Sequence, residues 1–183
     1  LDDVSPEARR QWTEHVRQTL NDLPQRVDYP QLSRSAQIDY EIFRDALEEE
    51  LWIDEHIRPW ETDPRVYTGM ATDSVYLLFT QSSQPLEDNL RNAVARIERI
   101  PFLLAASREN LRNPSRVVTE TAIKQNQGAI AFYERELFSL IAETPPPEAL
   151  QLAAQRAVVA LREHQTYLED RLLPVSTSKW RLG

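Results

Sequence analysis

The chain has 183 residues, 41% of them hydrophobic and 27% charged, enough for one globular domain with a sizeable core or two very small ones. Its three glycines, Gly69, Gly128 and Gly183, are scattered, which excludes a phosphate-cradling loop or a dinucleotide fingerprint, since each needs several glycines within a few residues. A net charge of −8 opposes general nucleic-acid binding, the lack of Cys removes disulfides and thiolate zinc sites, and no apolar run approaches the roughly 20 residues that span a bilayer.

Ser5-Pro6-Glu7-Ala8 reads as a helix start, with a capping hydroxyl, Pro at the first helical position and an acid in the first turn. This helix is predicted to reach about Leu23 and stop before Pro24. A second is predicted from Ser33 or Ser35 to about Ile53. Its apolar face is Ala36, Tyr40, Phe43, Leu47 and Leu51, widened by Ile38 and Ile42. His56 to Arg65 holds two prolines and cannot be one regular element. A short helix over about Val66 to Phe79 follows, then the polar turn "TQSSQP".

The next helix starts at Pro85 and shows Leu86, Leu90, Ala93, Val94, Ile97 and Ile100 at helical spacing. Pro101 removes a backbone donor, so the helix kinks or restarts there, continues through Phe102, Leu103, Leu104 and Leu111, and ends before Asn113-Pro114. A long helix is predicted from Ser115 to Ile141, with Val118, Ala122, Ala129, Tyr133, Leu137 and Leu140 on one side. "TPPP", residues 144–147, breaks the chain and starts the last helix. That helix carries Leu150, Ala154, Ala157, Leu161, His164, Leu168 and Leu172 inward and ends at Pro174. No segment alternates as a strand does. The expected fold is all-α, an irregular bundle of about six to seven helices with a Pro-kinked helix near Pro101, in a single domain over 1–183.

Chemistry is sparse along this chain. The bundle di-metal pattern Glu-x-x-His fails, because Trp12, Ile53 and Leu161 stand three positions before His15, His56 and His164. The three histidines are at least 41 positions apart, so His-Glu-x-x-His is absent as well. His164 lies on the apolar stripe of the last helix; it reads as a core histidine bonded to a neighbour rather than as a ligand or base. The acidic run Glu48 to Glu55 could pair carboxylates for acid–base work, but reads as the solvated side of a helix. Ser176 and Lys179 match Ser-x-x-Lys, yet the companion motifs of that chemistry are missing. Trp52, Trp60 and Tyr67 could line an aromatic pocket, though packing around the irregular connection is the plainer use. Six of the 19 arginines fall between Arg91 and Arg116 with Glu87, Asp88, Glu98 and Glu109 among them, which reads as a salt-bridged helix face. No catalytic, cofactor-binding or metal-ligating residue is assigned.

The stretch "RIERIPFLLAASRENLRNPS" resembles a segment of the bacterial domain-of-unknown-function family 885, a zincin-like, metallopeptidase-type group. "LDDVSPEARRQW", "SAQIDYEIFRDALEEEL", "RPWETDPRVY" and the closing "KWRLG" resemble further pieces of that family in the same order. The resemblance implies that Pro101 marks a bend between two core helices and that Asn110 to Pro114 form the turn after it. It also implies a zinc motif, His-Glu-x-x-His, on a later helix that no residue here matches. On that resemblance the chain is the amino-terminal helical part of a longer protein, with zinc a cofactor of the full-length family and none held here.

The implied role is to shape or cover the cleft of a peptidase-type region; the alternative is a free-standing helical protein–protein interaction module. The expected partner is the carboxy-terminal catalytic region or a second copy, with no nucleic acid and no membrane span. Leu1 in place of Met, with no basic or apolar leader, reads as a processed or trimmed product. One apolar face is expected to await that partner, formed by Ile123, Ile130 and Phe138 on the second side of the Ser115–Ile141 helix, with Trp180 and Leu182 at the terminus.

Overall fold

Capping side chains and prolines set where the helices begin. In the computed structural model, which describes residues 3–141 and 145–179, the Ser5 hydroxyl accepts the Ala8 amide at 3.3 Å and opens α1 (Pro6–Arg26). The helix does not stop before Pro24 as predicted. Pro24 withholds only its own amide, and the Val27 amide still reaches the Leu23 carbonyl at 3.1 Å, so the last turn closes around the proline. After a 3₁₀ turn at Tyr29–Gln31, the Ser33 hydroxyl accepts the Ala36 amide and begins α2 (Arg34–Trp52). A π turn, Ile53–Ile57, extends α2 and ends on Arg58, whose φ of 52° turns the chain out of the helix just before Pro59.

The described residues form two compact units, one of residues 4–59 and one built mainly from residue 60 onward. In the first, α1 and α2 run antiparallel, because Asp54 at one end meets Arg9 while Tyr29 at the other packs on Tyr40, with ring centroids 5.2 Å apart. Of the predicted α2 face only Leu47 is buried. Phe43, Ile38 and Ile42 are exposed, Ile42 at 63% of its surface. Periodicity described the stripe correctly, but the described residues cover it only in part.

The second unit contains α3 (Pro59–Thr62), α4 (Arg65–Thr80), α5 (Leu86–Ile97), α6 (Ile100–Asn110), α7 (Arg116–Ala131), α8 (Leu137–Ser139) and α9 (Glu148–Tyr167). Helix α9 packs against α5, α6 and α7, and α4 against α5 and α7. Ala153, Ala154, Ala157 and Ala160 on α9 keep its surface low enough for three neighbours to approach. Tyr67, Val75, Ile97, Ile100, Leu104, Tyr133, Leu137, Leu150, Leu161 and Leu168 fill the space between. As expected, the chain restarts at Pro101, which occupies the first turn of α6, where an absent amide costs no helical bond.

Two helices are shorter than predicted. The Ser115–Ile141 helix is regular only to Ala131, passes through a π turn at Phe132–Glu136 and ends in the three-residue α8. The last helix is regular to Tyr167, then takes a π turn at Leu168–Leu172, and Pro174 sits inside a 3₁₀ turn, Leu173–Val175, rather than at a helix end. Among the described residues every regular element is helical, seven α-helices have 11 residues or more, and extended pairing is confined to one isolated bridge, Ser115 with Ser178. The all-α irregular bundle is the observed fold class.

Candidate functional site

Helix α9 carries His164 into the core, as its position on the apolar stripe requires. The side chain is fully buried, stacks on Tyr167 with centroids 5.8 Å apart, and has no hydrogen-bond partner at either ring nitrogen. The expected neighbouring bond is therefore absent, a correction to the sequence reading. Burial, with the Arg108 charge second, pushes the imidazole down to about 3, so it stays neutral through the physiological range. A neutral imidazole could ligate a metal, but among the described residues no three His, Asp or Glu side chains converge as a metal site would require.

The acidic run serves structure. Asp54 pairs with Arg9 and accepts the Thr13 hydroxyl at 2.8 Å, Glu50 accepts the Trp12 indole N–H, and Glu48 lies 3.5 Å from Arg44 one turn away. The bonds of Asp54 and Glu50 tie α1 to α2 and its π turn. Trp60 and Tyr67 meet edge to face at 5.6 Å, and the Tyr67 hydroxyl donates to the Trp60 carbonyl at 2.7 Å. In the first unit, Trp52 stacks on His56 at 4.9 Å, and His56 Nδ1 donates to the Trp52 carbonyl.

Ser176 is buried, donates to the Leu172 carbonyl at 2.8 Å and meets the Thr119 hydroxyl at 2.9 Å, while Lys179 is exposed. This serine pins a segment; it is not poised as a nucleophile. The segment it belongs to is held from the other side by the turn after α6. Asn113, at a φ of 39°, turns its side-chain oxygen onto residues 177 and 178, and Arg112 donates its amide to the Glu61 carbonyl at 2.7 Å. The Arg- and Asn-bearing turn is thus a clasp for two distant segments, a role no sequence spacing discloses.

The arginines between 91 and 116 form fewer salt bridges than expected. Arg91 pairs with Asp88 and Arg116 with Glu120, but Arg96 donates to the Ser74 carbonyl. Arg99 lies over Phe102 at 5.0 Å and Arg108 over Tyr167 at 5.7 Å, so aromatic faces take the place of carboxylates.

Two clefts remain. A pocket of about 560 Å³ lies where the π turn and α8 diverge from α9, with Phe138, Pro146, Ala154, Val158 and Val159 on its walls. Its polar atoms are mostly engaged: the Tyr133 hydroxyl with the Ala71 carbonyl, Glu134 with Arg162 at 2.6 Å, and Gln151 with the Pro146 carbonyl at 2.6 Å. Burial also raises the Tyr133 phenol far above its ordinary range. The second cleft, about 520 Å³, runs between α4 and α7, with Asp63, Arg65, Thr68, Asp73 and Gln125 along it and Gly69 and Gly128 on its two sides. Arg65 grips Asp63 with two nitrogens, at 2.8 and 2.6 Å, and fixes the start of α4. A helix-interior glycine costs about 1 kcal/mol relative to Ala, so each of the pair weakens its own helix.

Of the residues expected to form an unpartnered face, Ile123, Ile130 and Phe138 are half-buried, Phe138 against the apolar pocket; Trp180 and Leu182 lie outside the described residues. Phe102, Val117 and Val159 are the more exposed apolar side chains of this unit. No helix of the described residues is long and apolar enough to cross a membrane.

Known proteins place the chain. No curated protein matches it. A solved structure, described as that of "a putative lipoprotein of unknown function from Shewanella oneidensis", is similar over 94% of this chain with a TM-score of 0.77 and 26% identity. This chain spans 32% of that one. The family model described as "Bacterial protein of unknown function (DUF885)" matches residues 1–183, and the chain belongs to that family.

Proposed function

We propose that residues 1–183 form the amino-terminal, non-catalytic helical part of a longer zincin-like protein, where they shape or cover the cleft of a zinc-dependent peptidase-type region. The observation that carries this reading is the asymmetry of the structural likeness, 94% of this chain against 32% of the similar one. The disposition of the polar groups adds support: Ser176, Glu50, Asp54 and Tyr67 are each committed to a bond that holds two segments together. Such groups build a wall, and the chemistry is assigned to residues beyond Gly183.

The exposed Ile42, Phe43 and Trp52 favour one alternative, a helical module that docks on another protein or on a second copy. Reading the gene past "KWRLG" and expressing the longer product separates the two. The first reading expects a His-Glu-x-x-His, about one zinc per chain and peptide hydrolysis lost when the motif Glu becomes Gln. The 183-residue chain alone is expected to retain no zinc after dialysis. A stop codon after Gly183 would give the module reading preference, and zinc held by the short chain but lost on mutating His164 or His56 would overturn the non-catalytic assignment.

A further inference from the structure

Two of the three glycines border one groove, and nothing in the described chain requires either. Gly69 stands inside α4 and Gly128 inside α7, both along the cleft between these helices. A Cβ added to Gly128 meets no atom within 4 Å, and one added to Gly69 meets only Asp73 Oδ2 at 3.9 Å, an ordinary contact. Neither has the left-handed backbone that favours glycine. Alanine would stabilise both helices. With internal packing and special backbone angles both set aside, what a helical glycine offers at such a place is room for the close approach of another backbone.

A second observation points to an occupant at the same place. Thr68 lines the cleft, is only 2% exposed, and its Oγ1 is buried with no hydrogen-bond partner. A buried hydroxyl left unbonded is costly and is rare in folded proteins. Along the rim, Asp63 is already neutralised by Arg65. Asp73 has no ion-pair partner among the described residues, and the Gln125 side chain makes no hydrogen bond there. The unengaged groups are therefore a carboxylate, an amide and a hydroxyl, in a chain of net charge −8.

We propose that the groove between α4 and α7 is a docking site for a basic polypeptide segment, whose backbone lies against Gly69 and Gly128 and whose Arg or Lys side chain meets Asp73. A free cation would need Asp73 alone; the two glycines suit a chain laid across both helices. The groove is built entirely from residues of this chain, so its test stands apart from that of the peptidase-type reading.

Short capped alanine-based peptides with Arg, Glu or Leu at the centre test this by titration into the isotope-labelled chain. The amide resonances of Gly69 and Gly128 report directly on the groove. The Arg peptide is expected to shift both in a saturable manner, and the Glu and Leu peptides to leave them in place. Asp73→Asn should weaken binding about tenfold, the size of a lost charge-assisted hydrogen bond. Gly128→Ala should raise the melting temperature yet weaken binding by a similar factor, read at Gly69. Four results would overturn the proposal: no saturable shift with the Arg peptide, an equal response to all three peptides, the full response from methylguanidinium alone, or a Gly128→Ala chain that is less stable or binds as well as the parent.

Discussion

The side-chain oxygen of Asn113 accepts both donors of Thr177, its amide at 2.8 Å and its hydroxyl at 3.1 Å, and the Ser178 amide as well at 3.2 Å. Sixty-four positions separate the two residues, and the contact is possible because Asn113 adopts a φ of 39°, which asparagine tolerates better than most residues. Three variants separate the two contributions. Asn113→Asp keeps an acceptor, Asn113→Gly keeps the backbone but drops the bonds, and Asn113→Ala loses both. Asn113→Ala is expected to cost about 2 kcal/mol. Hydrogen exchange at Thr177 and Ser178 should accelerate in the Gly and Ala variants and remain slow in Asp; unchanged exchange in all three would dismiss the clasp.

His164 makes stability depend on pH. Its folded-state value is depressed to about 3, below the usual 6.5, so between these values the unfolded chain binds a proton that the native chain does not. Stability is then fully present above about 6.5 and is lost as pH falls, by up to ~1.4 kcal/mol per unit. His164→Leu, which replaces an imidazole with two unpartnered nitrogens by an apolar group, should be neutral to stabilising at pH 7 and should flatten this slope. Denaturant melts of both chains across the range measure it; parallel curves would show that His164 does not set the slope.

Tyr133 reaches from the π turn to the Ala71 carbonyl on α4. Tyr133→Phe keeps the buried ring and removes that one bond, so it should cost about 1 kcal/mol with the fold intact. A loss several times larger in the same denaturant measurement would mean that the hydroxyl organises more than this contact.

Pro24 and Pro101 should respond differently to replacement by alanine. Pro101 lies in the first turn of α6, where its ring suits the backbone, and Pro101→Ala should change stability by less than about 0.5 kcal/mol. Pro24 lies inside α1, where it interrupts the hydrogen-bond ladder, and Pro24→Ala should slow amide exchange over the last turn of α1 by an amount equivalent to about 1 kcal/mol or more. Faster exchange in the Pro24 variant would show that the proline is needed where it stands.

Local rules were enough for much of this protein. Ser5 and Ser33 cap their helices as serines do, Pro101 restarts one, and the stripe from Leu150 to Leu172 faces inward along its length, because caps, prolines and periodicity act over a few residues and are written in order. The order of the family-like stretches likewise placed the chain in DUF885. Tertiary structure decided the rest. The apolar stripe of α2 is genuine, yet Ile42 and Phe43 are exposed, since a pattern specifies a face and another element must supply its cover. His164 was expected to be buried and bonded; only the packing of α9 among three helices determined that no donor or acceptor reaches it. Asn113 with Thr177, and Gly69 with Gly128, are each brought together by helices packed from distant parts of the chain, and no spacing rule spans that distance.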